Sequence, residues 1–224
     1  MALTAGFRHI RVAVRYVHGR GEVRLTHSAG WRSLQQQGDP GIPDELQTQL
    51  DSIERMLAGS PPRSRSVLLK QAGDLCAAMG ERRRALAWYG RAVNLHLELG
   101  EAPRASALCH TILSIQPEAV RARCTLAWLA LAGGRTVEAR RLVDEYATAA
   151  RGAGQNAMAS QQLAWMYEAA ADTLLRRDIL RAVRSLGDDA RAAALSSIPP
   201  HGPLDHEELW SRVLRGTLAR PPSS

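Results

Sequence analysis

The chain has 224 residues, 45% hydrophobic and 4% aromatic, with a formal net charge of +7. That length buries a core without metal or disulfide staples, and an Ala/Leu-rich, aromatic-poor composition argues for closely packed helices against a β-sandwich. Three scattered cysteines (Cys76, Cys109, Cys124) do not make the even, patterned set of a secreted disulfide framework.

The charge is uneven. Lys70 is the sole lysine, so nearly all the basic residues are arginine. Six of them (Arg8, Arg11, Arg15, Arg20, Arg24, Arg32) face only Glu22 within residues 1–33, which leaves the rest near +2, ordinary for a soluble surface. No run approaches the ~18 apolar residues of a membrane span. Arginines also interrupt the apolar stretches of residues 1–17, so no signal-peptide core is expected there. Reduced thiols in a cytoplasmic protein are the expectation.

In chain order, Ile10, Val12, Val14 and Tyr16 alternate with Arg11, Ala13 and Arg15. His18-Gly19-Arg20-Gly21 then turns the chain before Glu22 to Thr26. This period of two around a Gly-containing turn reads as a β-hairpin within a basic arm over residues 1–33, ordered by docking or else disordered. Residues 34–43, with Gly38, Pro40, Gly41 and Pro43, read as a linker. Asp44 and Gln47 suit a capping box for a helix carrying Leu46, Leu50, Ile53 and Leu57.

A train of helices follows, with breakers at Gly80, Gly100, Pro117, Gly133-Gly134 and Gly152 to Gly154. Helices of roughly 13–18 residues joined by about 2–4 residues are the dimensions of antiparallel hairpins. A longer segment over Met158 to Leu186 is expected to break near Arg176-Arg177. The helical domain spans 44–197, residues 198–204 are a Pro-rich linker, and 205–224 hold an amphipathic helix (Asp205 and Glu208 as capping box) and a tail.

The most specific signal is a repeat. Gly73, Cys76, Gly80, Ala85, Tyr89 and Ala92 are separated by three, four, five, four and three residues. The same gaps recur at Ala127, Ala130, Gly134, Ala139, Val143 and Tyr146. They recur again at Val93, His96, Gly100, Ala105, Cys109 and Ile112, with Pro117 five residues on. The pattern resembles the tetratricopeptide repeat family over residues 64–153. The resemblance implies an all-α fold of antiparallel hairpins in a short α-solenoid, with small residues where helices cross and glycine at the turns. It also implies a concave surface that binds another protein or a multiprotein complex. Gly100 and Gly134 are 34 residues apart, the family period, but Gly80 and Gly100 only 20. The helix over Glu81 to Leu99 must therefore serve two units at once.

Pro203 to Leu209, with Val213-Leu214, resembles the helical lead-in of bacterial cyclic-nucleotide-binding domains, without the β-roll and its phosphate-binding motif.

Candidate chemistry is thin. Cys109-His110 with Cys76, His96 and Cys124 lacks zinc-ligand spacing, and cysteines in Ala/Leu-rich helices behave as small core residues. Gly19-Arg20-Gly21 lacks the elements of a P-loop. The adjacent pairs Asp188-Asp189 and Glu207-Glu208 cannot face each other on a helix, so neither reads as an acid/base couple. No catalytic residue, metal site or cofactor is expected. The expected role is a non-enzymatic adaptor or accessory subunit. Its candidate partner contacts are Arg82, Arg83, Trp88, Trp128, Trp165 and Trp210, with Arg11 and Arg15 in the arm. The alternative is a nucleic-acid-associated regulator using the Arg-rich arm.

Overall fold

A computed structural model describes residues 41–218, which fold into ten α-helices with no strand among the described residues. The basic arm with its expected hairpin, linker residues 34–40 and tail residues 219–224 lie outside the described residues. The helices are α1 (Gly41–Leu57), α2 (Pro62–Ala78), α3 (Arg82–Glu98), α4 (Ala102–Ile115), α5 (Val120–Ala132), α6 (Thr136–Gly152), α7 (Asn156–Ala169), α8 (Thr173–Ser185), α9 (Asp189–Ser196) and α10 (His206–Leu218).

Helix α1 begins inside the expected linker, so Asp44 lies in its first turn and is not its N-cap. The capping box does not form: the Asp44 carbonyl accepts from Thr48, while Gln47 reaches forward to Asp51 Oδ1 at 2.6 Å. Leu50 and Ile53 carry the buried stripe against α2.

One local motif builds five of the turns. Taking Gly80 as the example, its φ of 77° is a left-handed conformation that a Cβ would strain. Its N–H donates to Ala77 and the next N–H, of Glu81, reaches back to Cys76 at 2.8 Å, which satisfies carbonyls at the end of α2. The Glu81 carbonyl then accepts the first bond of the following helix from Ala85, which is fully buried at the crossing. The same bonds recur at Gly100, Gly134, Gly154 and Gly187, ending on Ala105, Ala139, Ala159 and Ala192. All five alanines are fully buried. At such a crossing a larger side chain would push the helices apart.

The repeat extends beyond the expected region. Ala147, Ala150, Gly154, Ala159, Leu163 and Met166 keep the same gaps, and the five non-glycine members are buried. Helix α3 packs on both α2 and α4, so it closes one hairpin and opens the next. Gly73 on α2 admits the Tyr89 ring of α3 so closely that a Cβ there would lie 2.6 Å from it. Tyr89 in turn donates to Asp74 Oδ1 at 2.8 Å.

The break between α7 and α8 falls at Ala170 to Asp172, earlier than Arg176-Arg177. Asp172 caps α8 by accepting from the Leu175 N–H at 2.7 Å. Arg176 lies within α8 and is buried. Its guanidinium lies 4.0 Å from the Tyr167 ring centroid and donates to the Ile198 carbonyl at 2.6 Å.

Helices α6, α7 and α9 all pack on α8. At the centre, α5 is buried continuously from Cys124 to Ala130. A helix without a polar face needs cover on every side. Helices α4 and α6 supply part of that cover, and α10 supplies the rest.

Candidate functional site

Helix α10 lies across α5 and α7 and touches α3, so it occupies the face formed by alternate helices of the repeat. Its first turns, with His206 and Trp210, border a cleft shared with Leu129 and Gly133 at the end of α5. At the other end, Thr217 approaches the start of α5 through Arg121. The two helices therefore run antiparallel.

The fit is closest at Gly216. A Cβ there would lie 2.3 Å from the indole of Trp128, which is fully buried beneath it. The absence of a side chain on α10 is thus what admits the largest side chain of α5. Val213 is fully buried beside it, and Leu209, Trp210, Leu214 and Leu218 pack against the core at half-buried positions. The indole Nε1 of Trp128 is buried with no acceptor among the described residues.

Three polar contacts pin this helix. Gln162 on α7 donates to the Gly216 carbonyl at 2.9 Å, and its own oxygen accepts from the Tyr146 hydroxyl of α6. Burial pushes the Tyr146 hydroxyl well above the usual tyrosine range, so it stays a donor. Arg121 Nη2 bridges Asn94 Oδ1 on α3 (3.0 Å) and the Thr217 carbonyl (3.2 Å), placing a cation at the C-terminal end of α10. At the end of α7, the Glu168 carbonyl receives Arg212 at 3.3 Å and the His201 ring at 2.7 Å, which fastens the Pro-rich segment ahead of α10. Asp205 caps α10 by accepting from the Glu208 N–H at 2.8 Å.

The described residues do not wholly cover this face. A cleft of about 300 Å³ lies between α3, α4 and α5, bordered by Leu86, Ala87, Gly90, Arg91, Asn94 and Arg121. A Cβ on Gly90 would meet nothing within 4 Å.

The residues expected to contact a partner are not gathered in one place. Trp128 is sealed under α10, so no partner can touch it in this arrangement. Trp210 lies half-buried on α10 itself, and Trp165 is half-buried on α7. Trp88 is half-buried on α3, with the Arg91 guanidinium 4.5 Å from its ring centroid. Arg82 donates to the Ile115 carbonyl at the end of α4, and Arg84 pairs with Glu81 at 2.6 Å, while Arg83 is exposed. Arg11 and Arg15 lie outside the described residues. Among the repeat positions, Ala85, Ala92, Ala105 and Ala139 are fully buried, and Pro117 is exposed with its carbonyl accepting from Arg123.

Sequence reasoning did not single out Gly216, Gln162 or Arg121. A signal for Gly216 was present, since a lone glycine inside a helical pattern costs stability and calls for a packing reason. All three cysteines are buried, and burial pushes Cys109 and Cys124 up to about 12 and raises Cys76. None is a ready nucleophile near neutral pH. No helix among the described residues is long and apolar enough to cross a membrane.

A tetratricopeptide repeat family model matches residues 96–161, from the end of α3 into α7. No curated protein and no solved structure matches the chain. Repeats of this family generally mediate protein–protein interactions. The match covers under half of the chain, and with the all-helical hairpin architecture it shows a helical-repeat chain whose residues 96–161 are similar to the tetratricopeptide repeat family.

Proposed function

We propose that the chain is a non-enzymatic adaptor or accessory subunit that holds another protein in a larger assembly, in the cytoplasm. The observation that carries this reading is that the face of α3, α5 and α7 is shaped to seat a helix, and seats one. The cleft beside Gly90, open among the described residues, extends the same face and offers apolar wall (Leu86, Ala87) with polar anchors (Arg91, Asn94, Arg121). The buried, high-pKa thiols are consistent with packing roles in place of chemistry.

The test is crosslinking and affinity capture of the full chain from its native host, in parallel with a Gly90→Arg variant. The reading expects one stoichiometric partner that Gly90→Arg loses. A wild-type chain recovered only as a free monomer would end it.

The positive charge of residues 1–33 favours a second reading, a nucleic-acid-associated regulator. It requires an affinity that falls steeply with salt and disappears when Arg8, Arg11 and Arg15 are replaced by glutamine.

A further inference from the structure

We propose that α10 is a displaceable occupant of the groove, and that the partner taken there is an amphipathic helix that carries a small residue where it crosses Trp128 and replaces α10. The inference rests on the adaptor reading above and specifies its ligand.

Helix α10 serves as the template. Its groove-facing positions, Leu209, Val213, Gly216 and Thr217, follow the four-three-one spacing of one helical face. The main polar anchors on that face, from Gln162 and Arg121, go to the backbone carbonyls of Gly216 and Thr217. Backbone anchors accept any helix that brings a carbonyl to the same place. They do not read the side chains of α10, so specificity falls on the small residue above Trp128.

Three features make α10 a replaceable ligand. Its seat leaves the Trp128 indole N–H buried without an acceptor among the described residues, a forgone hydrogen bond that weakens the hold on α10. Gly216 lowers the intrinsic helicity of α10 for the sake of the crossing. The segment from Pro199 to Leu204 that leads into α10 has no regular structure and is held by contacts at Ile198 and His201, so release of α10 leaves the repeat hairpins intact. Exposing α5, buried from Cys124 to Ala130, is the opposing term, and only another apolar helix face offsets it. Tethering gives α10 a high effective concentration, which a partner must overcome.

The probe is a fluorescent synthetic peptide of residues 205–218, titrated into the full wild-type chain and into the full Gly216→Leu variant. In the variant a leucine replaces hydrogen at the Trp128 crossing and evicts the tethered helix. The variant is expected to bind the peptide at least tenfold more tightly than the wild type, and neither binds the same peptide made with leucine in place of glycine. Equal binding by the two proteins would overturn the proposal. Hydrogen exchange on the wild-type chain decides it should the variant misfold. Amides of α10 are expected to exchange at least tenfold faster than those of α5 and α7, and equal protection would overturn the proposal. A wild-type chain that dimerises by trading α10 between copies would name the second copy as occupant and overturn the heterologous partner. None of these failures touches the partner capture that tests the adaptor reading.

Discussion

Arg140 on α6 donates from Nε to Asp178 Oδ2 on α8 at 2.5 Å, and the aspartate side chain is almost wholly removed from solvent. Arg181, one turn along α8, lies 3.1 Å from the other carboxylate oxygen. Both arginines keep part of their guanidinium surface in water, whereas the carboxylate does not. The pair thus locks α6 to α8, which pack directly on each other, and removal of its members should be asymmetric. Replacing both Arg140 and Arg181 with alanine strands the buried carboxylate and is expected to lower stability by about 3–5 kcal/mol. Adding Asp178→Leu to that double variant is expected to restore most of the loss, because an apolar side chain needs no counter-charge. Urea unfolding at neutral pH measures both steps, and a triple variant no more stable than the double would sink the argument.

Two helix-interior glycines should respond oppositely to alanine. At Gly90 an added methyl meets open space, and helix propensity alone predicts a gain of about 0.5–1 kcal/mol. At Gly216 the same methyl lands 2.3 Å from a fully buried indole, and overpacking is expected to outweigh that gain, for a net loss of about 1–3 kcal/mol. Gly73 belongs with Gly216, because Tyr89 fills the space its Cβ would take. Thermal unfolding of the three alanine variants checks the signs. A stabilised Gly216→Ala would mean that α10 does not press on Trp128.

The hairpins were legible because the turn chemistry is local. A left-handed glycine followed five residues later by an alanine repeats at Gly80, Gly100, Gly134, Gly154 and Gly187, and each half of that motif is fixed by bonds within a few residues. The break expected near Arg176-Arg177 falls earlier, before Asp172, and Arg176 belongs inside α8. Its charge is buried over Tyr167 and satisfied by the Ile198 carbonyl, a partner 22 residues away. The seat of α10 was only half legible. An amphipathic stripe says that a face needs cover but not where, and the contacts of Arg121 with Thr217 span 96 residues. The informative clue lay on the receiving side, in the unbroken apolar run of α5, which an open groove could not have left exposed to water.

Acid should loosen two of the turns first. The Glu101 carboxyl is held below its ordinary range, chiefly by the His96 ring at 2.7 Å and then by Arg104. Asp188 is held low by the Ser160 hydroxyl at 2.6 Å and by the Arg191 N–H it caps. A carboxyl depressed in the folded state contributes stability above its unfolded pKa and loses it as pH falls through the lowered folded value. The acid limb of the stability curve, below about pH 4, is therefore expected to flatten in Glu101→Gln and in Asp188→Asn, and to flatten further in the double variant. Asparagine keeps an acceptor for the Arg191 N–H, so the second substitution tests charge separately from capping. Urea midpoints measured from pH 6 to pH 3 decide it, and acid limbs parallel to the wild type would show that neither carboxylate is coupled to folding.

The thiols report on opening of the repeat core. Burial is the main cause that pushes Cys109 and Cys124 up to about 12, against weaker opposing contributions from Thr125, Tyr146 and Arg121, and it raises Cys76 as well. All three side chains are buried in the folded chain, so the reactive thiolate is both scarce and shielded at pH 8. The native protein is expected to react with a disulfide reagent only as fast as the structure opens, whereas the chain in denaturant yields three thiols at once. The order carries further information. Cys124 lies on α5 between its neighbours and close to the Arg121 anchor of α10, while Cys76 lies on α2, which packs on α1 and α3 away from that anchor. The Gly216→Leu variant is therefore expected to accelerate labelling of Cys124 several-fold and to leave Cys76 unchanged, as read by mass spectrometry of quenched samples. Equal acceleration at both sites would mean that the substitution destabilises the whole domain and does not simply uncover α5.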